Sequence, residues 1–93
     1  MKNYIARTIQ KYYKTQFKIK SFVPGKSPVP VSGKVFNEEE LLAGAEAVLD
    51  GWWTEGRFAT EFEKEFAKYL GIRYVTLVNS GSSANLVALS ALT

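Results

Sequence analysis

A chain of 93 residues is one small domain at most, with room for only a modest core. Its 46% hydrophobic and 23% charged residues are ordinary for a soluble globular protein, and no apolar run approaches a transmembrane span. Cysteine and histidine are both absent, which excludes a disulfide framework, a thiolate metal site and a Ser–His or Cys–His catalytic pair built from these residues.

The net charge of +3 is unevenly spread. No acid precedes Glu38, whereas Lys2, Arg7, Lys11, Lys14, Lys18, Lys20, Lys26 and Lys34 all fall before it. A basic arm of this kind raises three options: nucleic acid, an anionic membrane surface, or a solvated surface helix. In "NYIARTIQKYYKTQFKIK" the apolar positions Ile5, Ile9, Tyr12, Tyr13 and Phe17 recur at near-helical spacing, with the lysines mostly off the stripe. The pattern predicts a basic amphipathic helix over about residues 4–17. Three tyrosines make a weak apolar face for a membrane helix, and a Lys- and Tyr-rich stretch is unlike an Arg- and Ser-rich transit peptide. A helix docked on the rest of its own protein fits better. No apolar core follows the basic N-terminus, so no secretory signal is expected and the location expected is cytoplasmic. No nucleic-acid-binding motif appears, and neither nucleic acid nor membrane is expected as a partner.

"SFVPGKSPVPVSGK" holds all three prolines and two glycines. It is predicted to be an extended, fairly stiff strap rather than a regular element. "NEEELLAGAEAVLDGWW" opens with a capping box. Asn37 caps the helix, Glu40 reaches back to its amide, and Glu38 and Glu39 suit the positive end of the helix dipole. A helix over about residues 38–50 follows, buried along Leu41, Leu42, Ala45, Val48, Leu49 and Trp52.

Gly56 punctuates the next turn. Thr60 and Glu63 have the spacing of a second capping box, although the helix can also begin a turn earlier. Phe62, Phe66, Tyr69 and Leu70 mark its buried face, and Gly71 is a C-terminal stop. "YVTLV" at 74–78 reads as a short buried strand, and a further helix is expected from about Ser82. The expected organisation is thus a basic helix over 1–22, the Pro/Gly-rich strap over 23–36, and the start of an incomplete domain over 37–93.

The strand-to-helix junction "NSGSSAN" carries the most chemistry. The first amides of a helix lack intrahelical partners and point outward at the positive end of its dipole. Gly81 lets an anion approach the backbone, and Ser82 and Ser83 add amides and hydroxyls, which together suit a phosphate. The plainer alternative is that Ser80 or Ser82 simply caps the helix. The junction matches neither Walker A nor the dinucleotide fingerprint G-x-G-x-x-G.

"VNSGSSANLVALSAL" resembles the cofactor-phosphate segment of fold-type-I pyridoxal-phosphate enzymes. More narrowly, it is similar to the DegT/DnrJ/EryC1/StrS sugar aminotransferase and dehydratase family. "GWWTEGRFATEFEKEFAKYLGIRY" resembles that family's turn–helix–strand lead-in. "FVPGKSPVPVSGKVFNEEELLAGAEAVLDGWWTEGRFATEFEKEFA", with the "YYKTQFK" helix before it, resembles the RfbH-type CDP-4-keto-6-deoxyglucose 3-dehydratases of lipopolysaccharide and O-antigen biosynthesis.

The resemblance implies an α/β fold of the aspartate-aminotransferase-like type, to which this mostly helical segment contributes one short strand. It also implies a homodimer, a pyridoxamine or pyridoxal 5'-phosphate cofactor, a nucleotide-sugar substrate, a [2Fe–2S] cluster bound by downstream residues, and an iron–sulfur flavin reductase partner. Gly81, Ser82 and Ser83 match the phosphate-binding turn. Ser32, Gly33 and Lys34 in the strap, and Trp53, Thr54, Gly56 and Arg57 in the turn, match substrate contacts more loosely. Arg57 offers bidentate geometry for a nucleotide phosphate. Trp53 or Trp52 could stack on a ring, with core packing as the alternative for either.

In the family the cofactor-site lysine or histidine, the aspartate that pairs with the pyridine nitrogen, and the cluster cysteines lie further downstream, and none is matched here. The chain is therefore expected to be an N-terminal part of a longer enzyme, without a catalytic residue of its own and inactive alone. A lysine at the cofactor position would make that enzyme an aminotransferase, and a histidine a dehydratase.

Overall fold

A computed structural model describes all 93 residues. Four helices follow in chain order: α1 (Asn3–Gln16), α2 (Glu38–Leu49), α3 (Arg57–Leu70) and α4 (Gly81–Leu92). They fall into two compact units, Met1–Trp53 and Thr54–Thr93. No helix is long and apolar enough to cross a membrane.

In the first unit α1 packs against α2. Ile5, Ile9 and Tyr13 on α1, and Leu41, Leu42 and Ala45 on α2, are half-buried as the two apolar stripes predict, whereas Tyr12, Phe17, Val48, Leu49 and Trp52 of the same stripes are exposed. Thr8 and Thr15 sit within α1 by donating their hydroxyls back to carbonyls of the preceding turn, Thr8 to Tyr4 at 2.8 Å and Thr15 to Tyr12 at 3.0 Å. The C-terminal end of α1 is held by an aromatic cluster. Phe36 lies edge-on to Phe17 and Tyr13, with centroids at 5.1 and 5.9 Å, and the Tyr13 hydroxyl donates to the Phe36 carbonyl at 3.0 Å. This cluster fastens the end of the strap to α1, just before α2 begins.

The strap starts with a turn at "VPGK". Pro24 sets the first corner and Gly25, at φ +78°, takes the second, as a type II turn requires. The Lys26 amide closes it on the Val23 carbonyl at 3.0 Å. Ser27 Oγ accepts from the Val23 amide at 2.8 Å. Beyond it the strap makes no regular element before α2.

The start of α2 is as the sequence predicts. Asn37 Oδ1 accepts from the Glu39 amide at 2.7 Å, and Glu40 Oε2 accepts from the Asn37 amide at 2.7 Å. The helix stops at Leu49, with Gly51 left-handed at φ +69° and the Trp53 indole N–H donating to the Val48 carbonyl at 3.0 Å.

In the second unit the earlier of the two starts open to α3 is the one taken: α3 begins at Arg57 with Gly56 as its N-cap, so Thr60 is already inside the helix and does not cap it. The Thr60 hydroxyl donates instead to the Gly56 carbonyl at 3.3 Å. Glu63 is consequently released from a capping role, and its carboxylate accepts from the Leu77 amide at 3.0 Å.

The departure from expectation is at 74–78, which is not a strand: the chain contains four helices and no strand. The apolar, β-branched character of "YVTLV" is real, but a strand exists only as part of a ladder, and no other segment here pairs with it. A glutamate side chain takes the Leu77 amide. The C-terminus of α3 is as predicted. Gly71 is left-handed at φ +67°, the Ile72 amide reaches the Ala67 carbonyl at 3.0 Å, and the Gly71 amide reaches Lys68 at 3.2 Å, which together make a Schellman motif.

Burial is slight. Ala67, at 8% exposure, is the one buried residue. The ring ladder Phe62–Phe66–Tyr69 on α3 stacks at 5.3 and 6.4 Å but stays exposed. Leu86, Val87, Leu89 and Leu92 of α4 are exposed as well. A helix apolar on all sides belongs in the interior of a larger structure. The isolated chain should therefore be helical by far-ultraviolet circular dichroism yet melt without a cooperative transition. A sharp melt that cofactor shifts upward would contradict this. In the intact protein, Asn37→Ala should cost about 1 kcal/mol locally and speed amide exchange in the first turn of α2, and unchanged exchange there would show the cap to be dispensable.

Candidate functional site

The junction 79–83 is organised by Ser80. Its backbone is extended, at φ −162° and ψ 162°, and its side chain caps α4. Ser80 Oγ accepts from the Ser83 amide at 3.1 Å and donates to the Ser83 hydroxyl at 3.1 Å. The Ser80 carbonyl accepts the Ala84 amide at 3.0 Å, the first full helical bond. Of the two sequence alternatives, the cap is therefore real and Ser80 supplies it.

The cap does not close the helix end. It satisfies the Ser83 amide and leaves those of Gly81 and Ser82, the first two positions of α4, without an intrahelical acceptor. The first turn of α4 has no acid, and no charged residue occurs between Tyr74 and Thr93. No acid of the first turn opposes the helix dipole at these amides, and the carboxylate of Glu63 stands at Leu77, four residues before Gly81.

Gly81 has neither of the usual reasons to be glycine within its own chain. Its φ is not left-handed, and a Cβ built there would meet nothing within 4 Å. What a side chain would occupy is the open space at the helix end, where an anion would approach. The Ser82 hydroxyl stands at the same turn without a protein partner. A phosphate group therefore fits the donor set: two open amides, a free hydroxyl and a Ser83 hydroxyl held by Ser80.

The other predicted contacts lie elsewhere. Ser32, Gly33 and Lys34 are exposed in the strap, and no hydrogen bond ties them to Trp53. Trp53 is 81% exposed, with its indole N–H fixed to α2 and its ring faces free. Thr54 is exposed at the start of the second unit. Arg57 opens α3, its guanidinium carbon 4.2 Å over the Phe58 ring. Within the second unit, Gly81, Ser82 and Ser83 stand together on the first turn of α4. Ser80 was one of the two serines expected to cap the helix, whereas the contact of Glu63 with Leu77 was missed. The cap was legible as a serine before Gly81, but the Glu63–Leu77 bond spans fourteen residues and has no local signature. No group of three or more acidic, histidine or cysteine side chains is placed to hold a metal ion.

Comparison with known proteins follows the same lines. The chain is 45% identical over its full 93 residues to a Salmonella typhimurium protein described as lipopolysaccharide biosynthesis protein RfbH, covering 21% of that protein. It is 44% identical over 92 residues to a dTDP-4-dehydro-2,6-dideoxy-D-glucose 3-dehydratase of Saccharopolyspora spinosa, covering 20% of it. A GDP-4-keto-6-deoxy-D-mannose 3-dehydratase of Yersinia pseudotuberculosis is 36% identical over 63 residues, 68% of this chain and 16% of that one. The chain thus spans about a fifth of the length of the curated relatives that match it throughout. Residues 35–93, which include α2, α3 and the whole Ser80–Ser83 turn, match the DegT/DnrJ/EryC1/StrS aminotransferase family, and the chain belongs to that family.

Proposed function

We propose that this chain is the phosphate-anchoring part of a pyridoxamine or pyridoxal 5'-phosphate-dependent nucleotide-sugar 3-dehydratase of deoxysugar and lipopolysaccharide biosynthesis. The observation that carries the reading is the open N-terminus of α4, where two free amides and a glycine face space that the chain itself does not fill. The relatives matched over the whole chain, α1 and strap included, support the dehydratase side of the family.

In this reading the amides of Gly81 and Ser82 and the Ser82 hydroxyl hold the cofactor's phosphate. The Ser83 hydroxyl, aimed by Ser80, completes the cradle. A dianion gains here because the donors are preorganised at the positive helix end. Bound there, the cofactor would supply an electron sink for proton loss from its own aminomethyl carbon, the electrons of which would expel the sugar's 3-hydroxyl as water. Arg57 is assigned to a nucleotide phosphate oxygen, as guanidinium suits oxyanions. Trp53 is assigned as a stacking platform, with Ser32, Gly33, Lys34 and Thr54 as further polar substrate contacts.

A homodimer and a flavin reductase partner complete the proposal, with a [2Fe–2S] cluster. The chain holds no cysteine or histidine, so it provides no ligand for such a cluster. A second reading, a sugar aminotransferase, is favoured by the family's own description and by 35% identity over 63 residues to the spore coat polysaccharide biosynthesis protein SpsC of Bacillus subtilis.

Three measurements on the intact protein test this. Gly81→Val should leave the helix formed, since its Cβ meets nothing, yet weaken cofactor binding by roughly tenfold or more in an absorbance titration; Ser82→Ala should weaken it less. Unchanged affinity in both would remove the cradle. Arg57→Ala should raise KM for the nucleotide sugar about tenfold with kcat little altered, and the reverse split would place Arg57 outside substrate binding. Incubated with a CDP-4-keto-6-deoxy sugar, the enzyme should release the 3-hydroxyl as water; amino transfer from glutamate to C4 would decide for the aminotransferase.

A further inference from the structure

The strap joins α2 through one peptide group that is held from both sides. The Phe36 carbonyl accepts from the Tyr13 hydroxyl at 3.0 Å, and the Asn37 amide of the same peptide donates to Glu40 Oε2 at 2.7 Å. A peptide is planar, so holding both its polar atoms sets the direction in which the chain leaves α2. The Phe36 side chain is pinned as well. Its ring is half-buried and lies edge-on to Phe17 and Tyr13, with centroids at 5.1 and 5.9 Å. Lys34 is two residues back along the chain from this fixed point.

Within this chain the strap between its first turn and Phe36 has no other tie. No residue from Pro28 to Val35 makes a hydrogen bond, and Val31 and Val35 are fully exposed, so packing does not hold them either. Pro28 and Pro30 stiffen the segment without anchoring it. Ser32, Gly33 and Lys34 thus take their place from Phe36. Tyr13 differs in this from its neighbour Tyr12, which is 57% exposed and whose hydroxyl has no partner. Tyr13 is half-buried and spends its hydroxyl on a carbonyl 23 residues on. The family match begins at residue 35, so the bond joins a helix outside the match to the second residue within it.

We propose that Tyr13 is a positioning residue for the strap: by holding the Phe36 carbonyl, it presents Ser32, Gly33 and Lys34 to the nucleotide sugar. This role rests on the proposed function, in which those three residues touch substrate. Tyr13 itself is assigned no contact with substrate or cofactor. Without its hydroxyl the strap stays attached but is freer, and the freedom must be given up each time substrate binds.

The test uses the intact protein, a CDP-4-keto-6-deoxy sugar, and the variants Tyr13→Phe, Lys34→Ala and the two combined. Tyr13→Phe keeps the ring and its edge-on contacts and removes only the hydroxyl, so α1 stays docked. It should weaken binding of the sugar about fivefold, read as KM in turnover and as Kd by calorimetry on the cofactor-free protein, with kcat and cofactor affinity little changed. Lys34→Ala should weaken the sugar about tenfold. The double variant should lose less than the product of the two, because a contact already removed cannot be misplaced. Tyr12→Phe, the same change one residue away, should alter nothing. If Lys34→Ala weakens the sugar and Tyr13→Phe does not, or if the two effects multiply in full, the proposal is overturned while the substrate role of the strap stands. Loss of kcat and cofactor affinity in Tyr13→Phe overturns it as well, since that marks a general loss of structure. If neither Lys34→Ala nor Ser32→Ala affects the sugar, the substrate role of the strap falls, and the positioning role falls with it.

Discussion

Every helix must satisfy the amides of its first turn, and how each helix of this chain does so decides what it can bind. The amides of α2 are met from within, by Asn37 and Glu40, and its first turn is crowded with carboxylates. An anion would find there neither donors nor a favourable field. α4 is built the other way. Ser80 meets one amide, two remain, and no acid lies in the first turn. Two helices of equal length thus differ at their starts, one closed by its own side chains and one left with open donors. The difference comes from a few residues: Asn-Glu-Glu-Glu at one start and Ser-Gly-Ser-Ser at the other.

The parts legible in the sequence were those whose physics is local. The Asn37–Glu40 box, the Gly71 stop and the Ser-Gly junction each depend on residues within one turn of each other, and each was found where predicted. Where the sequence left a choice or erred, context decided. Thr60 and Glu63 have capping-box spacing, but of the two starts open to α3 the earlier one, capped by Gly56, is taken. "YVTLV" has the composition of a strand, but composition cannot supply a neighbour to pair with. The candidate site divides in the same way. The phosphate cradle is a single turn and could be read from it. Whether Lys34, Trp53 and Arg57 meet a common substrate is a matter of tertiary arrangement, which spacing along a chain does not encode.

Burial explains why the helices are well defined while the core is thin. Caps, hydrogen-bonded threonines and a Schellman motif set helix ends without needing an interior. Stability needs apolar area removed from water, and here the large side chains of α3 and α4 remain in contact with it. The proposed phosphate cradle accordingly sits on a helix whose apolar sides are exposed. An open helix end binds an anion strongly only when the surroundings are dry, so the value of the cradle grows with whatever covers α4.

The bond between Glu63 and the Leu77 amide bears on that exposed state. A run such as "YVTLV", apolar, β-prone and free of proline, is of the kind that recruits copies of itself into stacked sheets. Its backbone donors are the points of attachment. By occupying one of them and placing a negative charge alongside, Glu63 leaves the segment one donor fewer for edge-to-edge pairing with a copy of itself.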